Sequence, residues 1–271
     1  MKPQTVSEAQ ERERQFWRTT RDEGPQSNTV DLLAHKLSEA RSFLECMRLF
    51  RDVFERARDI LELGGGEGWA ACILKRELPG SRRIVSSDIS AEAVAALPRW
   101  ERIFEVSLDR AFPCLSYEIP LDNETLDLVF TFQAAHHFLA HRRTFAEIWR
   151  VLRPGGTCLY LHEPTCRAFF YPLYRARATR VRDSAPEDVL DFPKLIRVAR
   201  RQGFEATYRF DLSLTNRSPV ATLYYMAQRA VPLIRHVLPG TKHLLFRKHA
   251  SDRSATVAKR WFPAAGGGPP A

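Results

Sequence analysis

The spacing of apolar residues along this chain changes once, near residue 59. Residues 7–20 are dominated by charge, with Phe16 and Trp17 embedded among them. Across 31–58, Leu33, Leu37, Phe43, Leu44, Met47 and Phe50 recur near helical spacing. The first stretch predicts a charged helix and the second one or two amphipathic helices. Beyond residue 58, short apolar runs alternate with helical stretches. The runs are Asp59–Leu63, Arg83–Ser87, a weaker one within 103–117, Leu126–Phe132 and Thr157–Leu161. The helical stretches are Trp69–Leu78, Ala91–Leu97 and His141–Leu152. Strands alternating with helices predict parallel strands joined by crossovers, a doubly wound α/β sheet. Arg153-Pro154-Gly155-Gly156 closes one helix, because proline cannot continue it and glycine permits the turn. Residues 187–202 predict a further helix stopped at Gly203, and Glu205–Leu212 a strand. Residues 219–237 are apolar with Arg229 and Arg235 interspersed, which predicts a packed pair of C-terminal helices broken by proline. The tail PAAGGGPPA is low in complexity and expected to be disordered.

Composition narrows the reading. The chain has 271 residues, 44% apolar and 27% charged, enough for one large domain with appendages. The polar start lacks a signal peptide's apolar segment, and no run is long enough for a spanning helix, so a cytoplasmic location is expected. The five cysteines (Cys46, Cys72, Cys114, Cys158 and Cys166) include no CxxC pair, which disfavours zinc ribbons and disulfide frameworks. The net charge of +9 is uneven: residues 165–271 hold 19 Lys+Arg against 7 Asp+Glu, or +12, leaving −3 for the rest. This basic half points to an anionic acceptor, an acidic partner, a membrane surface or a solvated face.

The candidate chemistry begins at Glu62, in ILELGGGEG. Gly64, Gly65, Gly66 and Gly68 follow a predicted strand and precede a predicted helix, where backbone approaches ligand in an open α/β sheet. A dinucleotide fingerprint fails, because its third small residue falls on Trp69, and a P-loop fails because no Gly-Lys-Ser/Thr follows. The spacing E-x-G-x-G-x-G from Glu62 to Gly68 resembles the first motif of class I S-adenosylmethionine (SAM) dependent methyltransferases. Three more blocks resemble that family, in the right order: Asp88 in RRIVSSDIS, LDLVFTFQAAHHF from Leu126, and EIWRVLRPGGTCLYLHEP. The resemblance covers about residues 58–165, with weaker support to about 212.

The resemblance implies a Rossmann-like, mostly parallel seven-stranded sheet with helices on both faces, an N-terminal helical lid and a C-terminal helical extension. It divides the chain into a helical cap (1–57), a SAM-binding domain (58–215) with an acceptor-facing insertion around 165–186, a basic helical extension (216–262) and a tail (263–271). It implies that Glu62 attracts the methionyl ammonium, that Gly64, Gly65 and Gly66 accommodate the methionyl part, and that Asp88 accepts both ribose hydroxyls. Ile89 is expected on the adenine face. The place near the adenine amino group falls on Leu115 and Ser116 by ungapped counting or on Asp109 if an insertion is allowed, and Phe132 is a further cofactor candidate. No metal is required. Candidate bases at strand ends are His136, His137, His162 and Glu163, suited to deprotonating a hydroxyl acceptor. Trp17 is expected in the lid. Tyr171, Tyr174, Arg175 and Arg177 are expected to meet a flat or anionic acceptor.

The function expected is methyl transfer from SAM, leaving S-adenosylhomocysteine, to a small-molecule, glycan or lipid-linked acceptor, at oxygen. Peripheral membrane contact is conceivable, and the oligomeric state is open. A SAM-binding protein without methyl transfer and a nucleic-acid methyltransferase are the alternatives. The last is disfavoured by the absence of an Asn/Asp-Pro-Pro-Tyr/Phe signature.

Overall fold

The computed structural model describes residues 6–19, 29–78, 80, 82–172, 189–215 and 217–249. Three helices lead: α1 (Val6–Thr19), α2 (Val30–Leu49), whose Thr29 side chain caps it by accepting the Leu32 amide, and α3 (Arg51–Arg56). The alternating part follows as β1 (Asp59–Leu63), α4 (Trp69–Glu77), β2 (Arg83–Asp88), α5 (Ala91–Ala95), α6 (Leu97–Phe104), β3 (Arg110–Pro113), β4 (Leu126–Phe132), α7 (His141–Val151) and β5 (Leu152–Cys166). The chain then gives β6 (Leu190–Asp191), α8 (Phe192–Gln202), β7 (Phe204–Phe210), α9 (Pro219–Ala230) and β8 (Gly240–Lys248).

The strands form one sheet in the order β3-β2-β1-β4-β5-β8-β7, with the two-residue β6 paired beside β5. The sheet therefore has eight strands rather than the seven expected; the eighth is β6, which lies off the main path. Strands β1 to β5 pair in parallel, and β8 runs antiparallel between β5 and β7. Both sheet faces are covered, so the central strands read as nearly unbroken apolar runs. One face packs Leu61, Leu63, Val85, Val129 and Tyr160 against Phe145, Ile148, Leu195 and Ile196 of α7 and α8. The other packs Ile60, Ile84, Leu128, Phe130 and Leu161 against Phe43, Phe54, Trp69, Ile73 and Trp100 of α2, α3, α4 and α6. No helix among the described residues is long and apolar enough to cross a membrane.

The segment expected as a basic helical extension departs from that expectation in its second part. Residues 219–230 are helical, but 240–248 form a strand inside the sheet. The apolar core Leu244-Leu245-Phe246 is bracketed by charge, which in sequence looks like a surface helix. The structure buries the bracketing lysines instead. Lys242 donates to Thr165 Oγ1 at 2.9 Å and lies over the Phe192 ring, 4.4 Å from its centroid. The Lys248 ammonium donates to the carbonyls of Leu152 (2.6 Å) and Trp149 (2.9 Å) at the end of α7, where a helix presents unpaired acceptors. The second half's positive charge is therefore partly spent inward.

Candidate cofactor and catalytic site

The carboxyl ends of β1, β2 and β4 meet at the glycine loop. Its shape requires glycine: Gly64, Gly66 and Gly68 have φ of +76°, +55° and +78°. Gly65 is needed for space, since a Cβ there would stand 2.5 Å from both Glu62 Oε2 and Ser86 Oγ. The amides of Gly64 and Gly65 donate to the Ser87 carbonyl at 2.8 and 2.9 Å, which fastens the loop to β2.

Two acids hold this loop. Glu62 lies buried beneath it and accepts from Ser86 Oγ at 2.8 Å. Burial pushes Glu62 up to about 8, and nearby Asp88 adds to the rise, against hydrogen bonds from Ser86 and the Ala71 amide. Asp88 ends β2 and accepts the Gly66 amide at 2.8 Å on one oxygen and the Ser90 amide at 2.9 Å on the other. Burial also raises Asp88, opposed by those backbone bonds. Ser90, not Asp88, caps α5, by accepting the Ala93 amide. Beside Asp88 opens a cavity of about 470 Å³, lined in part by Ile89, Ala91, Cys114 and Leu115 and by Arg14 and Arg18 of α1.

Helix α1 lies over the carboxyl ends of these strands. Gln10 Nε2 donates to the Tyr117 hydroxyl at 2.8 Å, and Arg18 pairs with Glu92 at 2.7 Å. Trp17 covers the loop so closely that a Cβ on Gly66 would be 3.3 Å from its ring. Between them, Glu13 reaches His137, with 3.6 Å from Oε2 to Nδ1. Glu13 is a candidate site residue that sequence reasoning missed. Its signal was its spacing, three residues after Gln10 and four before Trp17, which puts all three on one helix face.

A second group forms where β4 and β5 end. Glu163 is fully buried and accepts the amides of Ala134 (3.1 Å), Ala135 (2.9 Å) and His136 (3.2 Å), which fixes the tight turn Ala135–His137. Its Oε2 also meets His136 Nδ1 at 2.8 Å. Burial works to raise Glu163, but His136 and the Ala135 and Ala134 amides outweigh it and hold the carboxyl below its ordinary value. Because an ionised carboxylate can only accept, Nδ1 is the protonated, donating nitrogen of His136 in this contact. The same turn abuts the glycine loop: a Cβ on Gly64 would fall 2.9 Å from Ala134 Cβ and 3.3 Å from the Phe138 ring. His137 is driven down to about 3 by burial and by His136, so it stays neutral near pH 7.

The other candidates separate from this group. His162 stands at a β5 irregularity with φ +57° and pairs through Nδ1 with Asp211 at 2.5 Å. Its backbone amide donates to His243 Nδ1 at 3.1 Å, so the pair lies toward β8 on the α2 side of the sheet. Phe132 is core, with its ring 5.3 Å from Phe43 and 5.7 Å from Trp69. The Ser116 hydroxyl bonds Thr144 of α7 at 2.8 Å, while Leu115 takes the cavity wall. Asp109 precedes β3 at the amino-terminal end of the strands, bound by Lys75 and the Ile84 amide, away from the crevice at their carboxyl ends. Tyr174, Arg175 and Arg177 lie outside the described residues. No cluster of His, Cys, Asp or Glu among the described residues could hold a metal ion.

A glycine loop after β1, acids ending β1 and β2, and an antiparallel strand between β5 and β7 are the features that resemble class I SAM-dependent methyltransferases. Comparison with known proteins agrees. The methyltransferase domain family matches residues 61–160. A protein of Mycolicibacterium smegmatis named "Probable S-adenosylmethionine-dependent methyltransferase" is 34% identical over 103 residues, covering 38% of this chain and 37% of that one. The phthiotriol/phenolphthiotriol dimycocerosates methyltransferase of Mycobacterium tuberculosis is 31% identical over 100 residues, covering 36% and 35%. The chain thus spans about a third of the length of the curated relatives it matches. In fold it is similar to the geranyl diphosphate C-methyltransferase of Streptomyces coelicolor, with TM-score 0.63, 14% identity, and coverage of 91% of this chain and 99% of that one. It is also similar to the [4+2]-cyclase SpnF, with TM-score 0.55, 20% identity, and coverage of 75% and 82%. Over residues 61–160 the chain is thus similar to SAM-dependent methyltransferases, and its fold is similar to theirs.

The residues present suit that cofactor. Glu13, Glu62 and Asp88 make no ion pair with Lys or Arg among the described residues, and each is raised toward its neutral form. A ligand carrying ammonium and sulfonium charge supplies what they lack. The apo protein should show it in its stability. Glu62 has an ordinary value near 4.5 and about 8 in the fold, so its contribution is full below the lower value and lost as pH rises through the upper one. The melting temperature of the ligand-free chain is expected to fall from about pH 5 to about pH 9, with a shallower fall in Glu62→Gln. Thermal scans across that range check this, and equal slopes in the two proteins would contradict it.

Proposed function

We propose that the chain transfers a methyl group from SAM to a hydroxyl oxygen of a small-molecule, glycan or lipid-linked acceptor. The observation that carries this reading is the His136–Glu163 pair, set against the glycine loop. When bound, SAM supplies an activated methyl group, and its transfer leaves S-adenosylhomocysteine. In this reading Asp88 holds the ribose hydroxyls, Glu62 stiffens the loop from below and attracts the ammonium, and Ile89 and Leu115 flank the adenine. His136 Nε2 takes the acceptor's hydroxyl proton, while Glu163 fixes the ring and stabilises the imidazolium.

Among acceptors, a lipid-linked one has the most support. Helix α9 turns its hydrogen-bonding residues inward: Tyr225 hydroxyl accepts the Thr241 amide and Gln228 donates to the Pro239 carbonyl. Outward it shows Val220 (78% exposed), Leu223 and Met226, followed by Leu233 (77%). This apolar face sits where β8 begins, beside Thr165 near the end of β5, the edge at which an acceptor would enter. A relative named for phthiotriol dimycocerosates agrees with that choice. Burial of Lys242 and Lys248 removes two charges from any nucleic-acid-binding surface, which speaks against a nucleic-acid acceptor.

The test is incubation with methyl-labelled SAM and separated lipid and polar extracts. Label in the lipid fraction is expected. Bound SAM with no label in any fraction would favour the reading in which the cofactor serves another reaction, as the fold similarity to a cyclase allows.

A further inference from the structure

We propose that Glu13 on the lid helix reads the charge of the cofactor's sulfur, so that the lid closes on the sulfonium donor and releases the neutral thioether product. This rests on the SAM-binding reading above and extends it to a residue outside the family's matched segment, residues 61–160.

The geometry places Glu13 over the crevice. Gln10, Glu13 and Trp17 share one face of α1. Gln10 is tied to Tyr117 beyond β3, and Trp17 lies on Gly66 of the glycine loop. Glu13 therefore descends between these two anchors. The charged and titratable groups facing it are Asp88 from β2 and His136 and His137 from the turn after β4.

The three acids of the site are not equivalent. Glu62 is engaged by Ser86 beneath the loop, and both Asp88 oxygens hold backbone amides. Glu13 has a weaker engagement. Its ion-pair contact among the described residues is His137 Nδ1 at 3.6 Å, longer than a hydrogen bond. His137 Nδ1 itself is buried and makes no hydrogen bond among the described residues. A neutral imidazole offers Glu13 no charge. Burial and Asp88 push Glu13 up to about 7, against a lowering by His136. A carboxylate so placed gains from a cation arriving between it and Asp88. It gains less from the same nucleoside after methyl transfer, when the ammonium remains but the sulfur has become neutral. Coulombic attraction inside a partly buried site is less screened than at the surface, so the difference is felt in affinity.

The experiment is calorimetric titration of the full chain and of Glu13→Gln with SAM and separately with S-adenosylhomocysteine, at pH 8 where Glu13 is ionised. The wild type is expected to prefer SAM. Glu13→Gln is expected to bind SAM about 10-fold more weakly and S-adenosylhomocysteine within about twofold of wild type. Retained product binding also shows that the variant is folded. Equal weakening toward both ligands would make Glu13 a structural part of the lid and overturn the proposal, as would no change toward either. Failure of the wild type to bind both ligands would instead overturn the SAM-binding reading itself.

Discussion

Replacing Asp88 by alanine is expected to weaken SAM binding by about 100-fold or more while leaving the chain folded. Two losses add. The carboxylate is the acceptor assigned to the ribose hydroxyls, and hydrogen bonds to a charged group contribute about 1.5–3 kcal/mol each. It is also the clasp that holds the Gly66 amide at 2.8 Å and the Ser90 amide at 2.9 Å. Without it the glycine loop keeps its Ser87 bonds but loses the one that sets Gly66. The core does not depend on Asp88, because the sheet faces are filled by aliphatic and aromatic residues from both helical layers. Calorimetry with SAM, alongside circular dichroism, checks this. Unchanged affinity in a folded variant would remove Asp88 from the site.

His136→Ala is expected to lower the rate of methyl transfer by about 10²- to 10⁴-fold, the range for loss of a positioned general base. SAM affinity should stay within a few-fold of wild type, since His136 is assigned to the acceptor side. Glu163→Gln should slow transfer less than His136→Ala if the ring keeps its place, and it should also lower stability. An amide cannot accept all the hydrogen bonds that Glu163 now receives from Ala134, Ala135, His136 and the imidazole. Single-turnover measurement with labelled SAM separates the two effects. Wild-type rates in His136→Ala would assign His136 to the architecture of the turn.

The parts of this molecule that were legible in sequence are those set by local rules. The strands β1, β2 and β4 are buried on both faces, and their apolar runs announce them. The glycine loop is visible because its φ values exclude other residues at Gly64, Gly66 and Gly68. Asp88 stands out as a candidate by its place after the second run, and His136 and Glu163 by theirs after the fourth and fifth.

What sequence could not carry is which side chains meet. His162 and Glu163 are neighbours, yet the irregularity in β5 sends one to Asp211 and the other to His136. Ser116 was placed by counting, and the loop after β3 turned its hydroxyl toward Thr144 instead. Strand β8 was hidden because buried Lys242 and Lys248 look like surface charge until their partners are seen. Glu13 lies 49 residues before Glu62 in the chain, and no local pattern joins them.

The account stands on the crevice above β1 and β2 accepting a sulfonium nucleoside. Titration of the wild-type chain with SAM, in the presence and absence of excess NAD, tests that most directly. Saturable one-site binding that NAD does not displace is the result expected. Absence of SAM binding, or its displacement by the diphosphate-bearing nucleotide, would contradict it.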